Sequence, residues 1–251
     1  MERITSRKNQ IIALFRALAS DAAERRARGL YVCDGEKQLR DAVAAGTKVD
    51  IILAADEADA INGVPTGATA YGVPIELLQY ASPLTHTRGP VFAVRMPDQG
   101  TGPISRAIVL EGVQDPGNVG AVIRTANALG IDEVLLVGNC ADPYGPKAVR
   151  AAMGAVFRQR LRSLTLEGLE ELLRQSGLSL YGAALSETAR NVQKVDITHC
   201  AVAVGSEGRG LSAELLKLCA GQIRIPMRPE SESLNAAVAA AIVMWEMKKT
   251  L

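Results

Sequence analysis

Three stretches of the 251-residue chain concentrate the residue types from which an active site is assembled. The first is Glu111-Gly112-Val113-Gln114-Asp115-Pro116-Gly117-Asn118-Val119-Gly120, which runs into a segment carrying Arg124. The second is Gly205-Ser206-Glu207-Gly208-Arg209-Gly210-Leu211-Ser212, and the third is Pro226-Met227-Arg228-Pro229-Glu230-Ser231-Glu232-Ser233-Leu234-Asn235. Each follows an apolar run that reads as a strand and opens a segment with helical spacing. Backbone N–H groups at such helix starts make a pocket for an oxygen-rich ligand. The glycine spacing argues against the commonest versions of that pocket. Gly112, Gly117 and Gly120 do not match Gly-x-Gly-x-x-Gly, nor do Gly205, Gly208 and Gly210, and no Gly-x-x-x-x-Gly-Lys is present. Ordinary NAD binding and phosphate-loop ATP hydrolysis are therefore disfavoured. The side chains on offer are a permanent cation (Arg124), two amides (Asn118 and Asn235), a hydroxyl (Ser233) and a carboxylate (Glu207). Asn118 and Ser233 equally suit helix N-caps, and Glu207 could satisfy turn amides.

No metal site is expected. Cys33, Cys140, Cys200 and Cys219 lie far apart without a Cys-x-x-Cys pair, and His86 and His199 are the only histidines. The cysteines read as reduced core residues, so the chemistry has to proceed without histidine. The net charge of +1 conceals local asymmetry. Residues 1–28 carry seven basic side chains against three acidic, and Lys147, Arg150, Arg158, Arg160 and Arg162 form a second cluster with no acid between Asp142 and Glu167. Solvated faces would look the same. The dominance of arginine, whose planar fork suits phosphate, tilts the reading toward a polyanionic partner.

The elements that must position these residues are α/β throughout. Ile11, Ile12, Leu14, Phe15 and Leu18 predict a helix after a Ser6 cap, stopped by Gly29. Strands follow at 31–33, 49–53 and 91–94, with a helix over 36–45 closed by Gly46. This small α/β module spans 1–96, and the turn-rich stretch from Pro97 to Arg106 reads as a linker. Beyond it, apolar runs at 107–110, 134–137, 178–184, 200–204 and 223–225 alternate with helical segments at 119–129 (stopped by Gly130), 165–175 (stopped by Gly177), 212–219 (stopped by Gly221) and 234–249. Continuous rather than alternating hydrophobicity in the strands predicts a parallel sheet covered on both faces. The longest apolar run, from Ala236 to Trp245, is too short to cross a bilayer. The charged N-terminus does not read as a secretory signal, so a cytoplasmic protein without membrane attachment is expected.

The three loops in combination resemble the SpoU branch of the SPOUT superfamily, the TrmH-like RNA ribose 2′-O-methyltransferases. The match is carried by Asp115-Pro116-Gly117-Asn118-Val119-Gly120 with Arg124 and Gly130, by Gly205-Ser206-Glu207-Gly208 with Gly210-Leu211-Ser212, and by Ile225-Pro226-Met227 with Glu232-Ser233-Leu234-Asn235, in that order across 107–251. The front module, through Ile4 to Gln10 and Tyr31 to Lys37, resembles the RNA-recognition domain that often precedes the catalytic domain. The resemblance implies a parallel-sheet methyltransferase domain with a C-terminal trefoil knot. It also implies S-adenosylmethionine as cofactor, with Gly205, Ile225, Met227 and Leu234 at the contact positions. Arg124, Asn118, Glu207, Ser233 and Asn235 fall at the family's active-site positions. Arg7, Lys8, Lys147 and Arg150 are the expected RNA contacts, and a homodimer is implied. Ribosomal RNA is favoured over transfer RNA, with a non-catalytic RNA-binding protein as the rival from another class. If the ribose hydroxyl has a pKa about five units above neutral, its full deprotonation costs roughly 7 kcal/mol. Guanidinium is essentially always protonated, so a role for Arg124 in holding phosphate and stabilising oxyanion charge is easier to defend than a role as base. The family pattern has glycine where this chain has Pro229, which predicts a stiffer loop there.

Overall fold

The computed structural model describes residues 2–55, 64–97, 102–228 and 233–248. In chain order the elements are β1 (Glu2–Arg3), α1 (Gln10–Ser20), α2 (Ala22–Arg28), β2 (Leu30–Asp34), α3 (Glu36–Ala44), β3 (Val49–Ala55), β4 (Thr69–Val73), α4 (Ile75–Ala81) and β5 (Val91–Arg95). They continue with β6 (Ala107–Glu111), α5 (Pro116–Leu129), β7 (Glu133–Val137), α6 (Pro146–Ala152), β8 (Arg160–Leu164), α7 (Leu166–Ser176), β9 (Ser179–Ala183), β10 (Arg190–Asn191), β11 (Cys200–Gly205), α8 (Ala213–Leu218), β12 (Gly221–Arg224) and α9 (Ala236–Met247). The chain forms two compact units, Met1–Asp98 with Tyr144–Phe157, and Gln99–Pro143 with Arg158–Leu251.

The first unit is built on a mixed sheet in the order β1-β4-β3-β5-β2, in which β5 runs antiparallel to both β3 and β2. Ile12, Phe15 and Leu18 of α1 and Leu77 and Leu78 of α4 bury against Val32, Leu53 and Val91. Asn9, not Ser6, caps α1, its Oδ1 accepting from the Ile11 N–H at 2.8 Å. Asp21 ends α1 and caps α2, so Gly29, in the left-handed region at φ 62°, stops this second helix instead of the first. Both β1 and β4 escape sequence reading because neither offers an apolar run; β4 is Thr-Ala-Tyr-Gly-Val. The segment from Tyr144 to Phe157 belongs to this unit although it lies between β7 and β8. The ring of the fully buried Tyr31 sits 4.9 Å from that of Tyr144 and 6.4 Å from that of Phe157.

The second unit is a seven-stranded sheet, β10-β12-β9-β11-β6-β7-β8, parallel at every pairing. Register decides where its loops meet. Gly205 pairs with Glu111, Val204 with Ala183 and Ile223 with Ala183, so β6, β11, β9 and β12 end side by side. The stops at Gly130 and Gly177 are left-handed, at φ 68° and 67°, as their positions predict. Gly221 instead opens β12, since α8 already ends at Cys219. Asn235 caps α9 and delays its start to Ala236, while the expected end at Lys249 lies outside the described residues. Of the expected linker, 98–101 lie outside the described residues; Ile104 is buried, and the Ser105 and Arg106 N–H groups donate to Asp132 Oδ2.

The second basic cluster divides. Arg160 and Arg162 sit on β8 and bind Glu133, a carboxylate only 1% exposed, at 3.2 and 2.9 Å. They serve the fold, because a buried carboxylate requires partners. Among the described residues no helix is long and apolar enough to cross a membrane, and no group of three or more His, Cys, Asp or Glu side chains is placed to hold a metal ion.

Candidate active site

The Asp115-Pro116-Gly117-Asn118 turn is held by Asp115, whose Oδ1 accepts from the Asn118 N–H at 2.8 Å, with Pro116 in the first turn of α5. Asp115 is therefore the cap. Asn118 is released from that duty and directs its amide to Glu207, Nδ2 to Oε1, at 2.7 Å. Asn235 caps α9 through Oδ1, which accepts from the Ala237 and Val238 N–H groups at 2.9 and 3.2 Å. The Nδ2 of Asn235 donates to Glu207 Oε1 at 2.8 Å and lies 3.0 Å from Asn118 Oδ1. The Ala236 N–H completes the set at 3.3 Å from Glu207 Oε1. Three residues spread over 117 positions thus close one polar cluster around a single carboxylate oxygen. Ser233 caps nothing; it is exposed and lines the neighbouring cavity.

The loop that carries Glu207 is shaped by a close backbone approach. A Cβ on Gly205 would lie 2.1 Å from the Gly210 carbonyl carbon, so only glycine fits there. An antiparallel bridge pairs Ser206 with Gly210, and Ser212 caps α8 while its hydroxyl donates to Glu111 Oε1 at 2.6 Å.

Two cavities share this loop. One, of about 580 Å³, is largely apolar and is lined by Gly205, Leu211, Ile223, Ile225, Met227 and Leu234, with Ser233 at its edge. All four expected cofactor-contact residues face it. The other, of about 610 Å³, is the more polar of the two and is lined by Gln114, Asp115, Asn118, Asn139 and Glu207 among others. Glu207, Ser206, Arg209 and Gly210 border both. Sizes of this order suit small organic ligands, for which roughly 300–1,000 Å³ is usual. Sequence reasoning overlooked a fourth loop, Ala184-Leu185-Ser186 after β9, which also lines the apolar cavity. Its signal was available, since ligands gather beyond the carboxyl ends of parallel strands and 178–184 already read as one.

Arg124 stands apart from both cavities, exposed on α5. Pro229 and Glu232 lie outside the described residues. The thiols near the site are poor nucleophiles. Burial holds Cys140 above the usual thiol range, and burial together with the Glu111 carboxylate pushes Cys219 up to about 11.

The model of the SpoU rRNA Methylase family matches residues 105–245, which contain every element of this site. The chain belongs to the SpoU rRNA methylase family. The 23S rRNA (guanosine(2553)-2′-O)-methyltransferase of Bacillus subtilis is 32% identical across 99% of this chain and 100% of its own length. The 23S rRNA (guanosine-2′-O-)-methyltransferase of Coxiella burnetii is 33% identical over 57% of each chain. Among solved structures, an AdoMet-bound rRNA methyltransferase from Sinorhizobium meliloti superposes with a TM-score of 0.88 at 26% identity, covering 100% of this chain and 98% of that one. The fold expected from the three loops, an α/β parallel sheet of SPOUT type, is the one the SpoU family shares.

Proposed function

We propose that this chain methylates a ribose 2′-hydroxyl of ribosomal RNA, with S-adenosylmethionine as donor. The observation that carries the reading is the shared wall: an apolar cavity and a polar cavity meet at Glu207, where Asn118 and Asn235 are locked onto the same carboxylate. A group transfer needs donor and acceptor on two sides of one point. The naming of the relatives from Bacillus subtilis and Coxiella burnetii as 23S rRNA 2′-O-methyltransferases supports the choice of acceptor.

The donor cavity fits an adenosyl group. Ile223, Ile225, Met227, Leu234 and Leu211 offer apolar walls, and the glycine approach between Gly205 and Gly210 brings backbone to its rim with no Cβ between. When bound, S-adenosylmethionine supplies a methyl group made electrophilic by its sulfonium. The chain's own work is to place the hydroxyl and to stabilise the charge that develops as its proton leaves. Among the described residues Glu207 Oε2 has no hydrogen-bond donor and is the acceptor open to that hydroxyl. Asn118 and Asn235 fix Glu207 in place without changing charge, and Ser233 offers a further hydroxyl at the cavity edge. Arg124 holds an RNA phosphate and stabilises oxyanion charge.

Arg124 cannot do this at a cavity it does not line, and a homodimer resolves the difficulty by bringing Arg124 to the site of a second copy. The support is on α9: Val238, Ala241, Ile242 and Trp245 fall at i, i+3, i+4 and i+7 on one helix face, with Val238 47% and Trp245 58% exposed on a helix whose only charged residue is Glu246. The same reading includes the C-terminal trefoil knot, supported by the crowding of the loops after β9, β11 and β12 and the start of α9 around one cavity. The first unit is the RNA-recognition domain, with Arg7, Lys8, Lys147 and Arg150 all exposed on it. The site of action is the cytoplasm, where ribosomal RNA is assembled.

The test is transfer of a labelled methyl group from S-adenosylmethionine to ribosomal RNA lacking the modification, with mapping of the 2′-O-methyl site and Arg124→Ala alongside. One arginine-dependent site in ribosomal RNA is expected. A site in transfer RNA would move the substrate assignment, and RNA binding without cofactor binding would replace the enzyme by a binding protein.

A further inference from the structure

From Arg3 to Ser20 the chain contains four basic residues and no acidic one. Two of these, Arg7 just before the cap of α1 and Arg16 in its second turn, converge on one aromatic ring. The guanidinium carbon of Arg7 lies 4.7 Å from the centre of the Tyr80 ring, and that of Arg16 lies 5.0 Å from it. Arg16 Nη1 also donates to the Tyr80 carbonyl at 3.2 Å, which ties α1 to α4. All three side chains are exposed.

The arrangement is unlike that of the exposed arginines that carboxylates hold, and among the described residues only these two arginines share an aromatic ring. Arg28, Arg95 and Arg174 each have a carboxylate within 2.8 Å. Among the described residues neither Arg7 nor Arg16 forms an ion pair, and Glu76, one turn before Tyr80 on α4, binds neither. Two like charges are held less than about 10 Å apart, near one Debye length at 0.1 M salt, so they repel each other and act jointly on any anion that approaches. A guanidinium over a ring keeps its other N–H donors for phosphate, and at Arg16 only Nη1 is engaged, by the Tyr80 carbonyl. It also restricts two long side chains before binding, which lowers the entropy cost of contact.

We propose that Arg7 and Arg16, held by Tyr80, form a clamp for the phosphate backbone of the RNA on the first unit. The proposal rests on the reading of RNA as substrate and assigns Arg16 and Tyr80 to its binding. The clamp acts on affinity and leaves the chemical step untouched.

The experiment measures binding of the full chain to an unmodified 23S rRNA transcript across a potassium chloride series, and methyl transfer to the same RNA. For Arg7→Ala/Arg16→Ala, Kd rises about tenfold at 0.15 M salt, and the slope of log K against log salt falls by roughly 1.4–1.8, the contribution of two phosphates. KM for RNA rises in step, while kcat at saturating RNA and affinity for S-adenosylmethionine stay at wild-type values. Tyr80→Phe keeps the ring and binds as wild type, whereas Tyr80→Leu loses a few-fold. All three residues are exposed, so melting temperatures remain within about 2 °C of wild type. Wild-type Kd and salt slope in the double arginine variant overturn the clamp, as does equal binding by Tyr80→Phe and Tyr80→Leu. Failure of the two readings is distinguishable: methyl transfer with an unchanged KM in the double variant removes only the clamp, while clamp-dependent RNA binding without methyl transfer removes only the enzyme assignment.

Discussion

Replacing Gly205 by alanine tests whether the donor cavity depends on one backbone approach. The added Cβ would stand 2.1 Å from the carbon and oxygen of Gly210 and 2.6 Å from the Leu211 nitrogen, whereas ordinary contact begins near 3.4 Å. The 210–211 backbone must therefore retreat by about 1.3 Å, because backbone, unlike a side-chain tip, has no rotamer to move into. That retreat breaks the Gly210 N–H bond to the Ser206 carbonyl, 2.9 Å long, and displaces Leu211 from the cavity wall. Loss of the bond costs about 1 kcal/mol and overpacking about 1–3 kcal/mol, so a total near 2–4 kcal/mol is expected. For a chain of this size that corresponds to roughly 4–16 °C in Tm. Scanning calorimetry reads the first effect. Isothermal titration with S-adenosylmethionine reads the second, an affinity at least about tenfold weaker. Gly208→Ala is the control: a Cβ there meets nothing within 4 Å, and the variant should match wild type in both assays. A Gly205→Ala protein with unchanged Tm and cofactor affinity would falsify the argument that the close approach shapes the cavity.

Three further outcomes follow from particular contacts. Glu207→Ala removes the acceptor shared by Asn118, Asn235 and the Ala236 N–H, and single-turnover methyl transfer should fall about 10²–10³-fold while cofactor affinity changes less than about threefold; equal loss in both would show the cluster to be structural. Glu133→Ala strands two partly buried arginines and should lower stability by about 3 kcal/mol, with Glu133→Gln less damaging; a wild-type melting curve would contradict the pairing. Burial pushes the Cys200 thiol up to about 12 and Cys219 up to about 11, from the usual 9. Between pH 9 and 12 the unfolded chain releases thiol protons that the native state keeps, so stability declines as pH rises through that window. Denaturant titrations of Cys200→Ala/Cys219→Ala should show a shallower decline, and an unchanged profile would rule out these two thiols as its source.

Much of the fold is legible because its punctuation is local. Gly130 and Gly177 stop helices through left-handed backbone that any β-carbon disfavours, Thr165 and Ser212 cap through their own hydroxyls, and the continuous apolar runs of β6, β7 and β11 announce strands buried on both faces. Where local signals compete, reading fails. Sequence reading points to Ser6 as the cap of α1, but the geometry gives that place to Asn9, three residues on; β4 and β8 carry too few apolar residues in sequence to stand out. The site follows the same division. Its residue types are visible in three loops, and all four residues expected at cofactor contacts line the apolar cavity, yet Asn118 reads equally well as a cap until Asp115 is seen to hold that place.

Sequence alone thus determined which loops offer the residue types of a site, since glycine, proline and capping residues act over three or four positions. Only tertiary structure decided that Glu207 binds Asn118 and Asn235 at once, that Arg160 and Arg162 face inward to Glu133 while Arg7 and Arg16 face solvent on Tyr80, and that Tyr144 to Phe157 completes the core of the first unit. Each of these depends on strand register and helix packing between residues scores of positions apart. A charge's partner is set by which chain segments end side by side, and no local pattern encodes that.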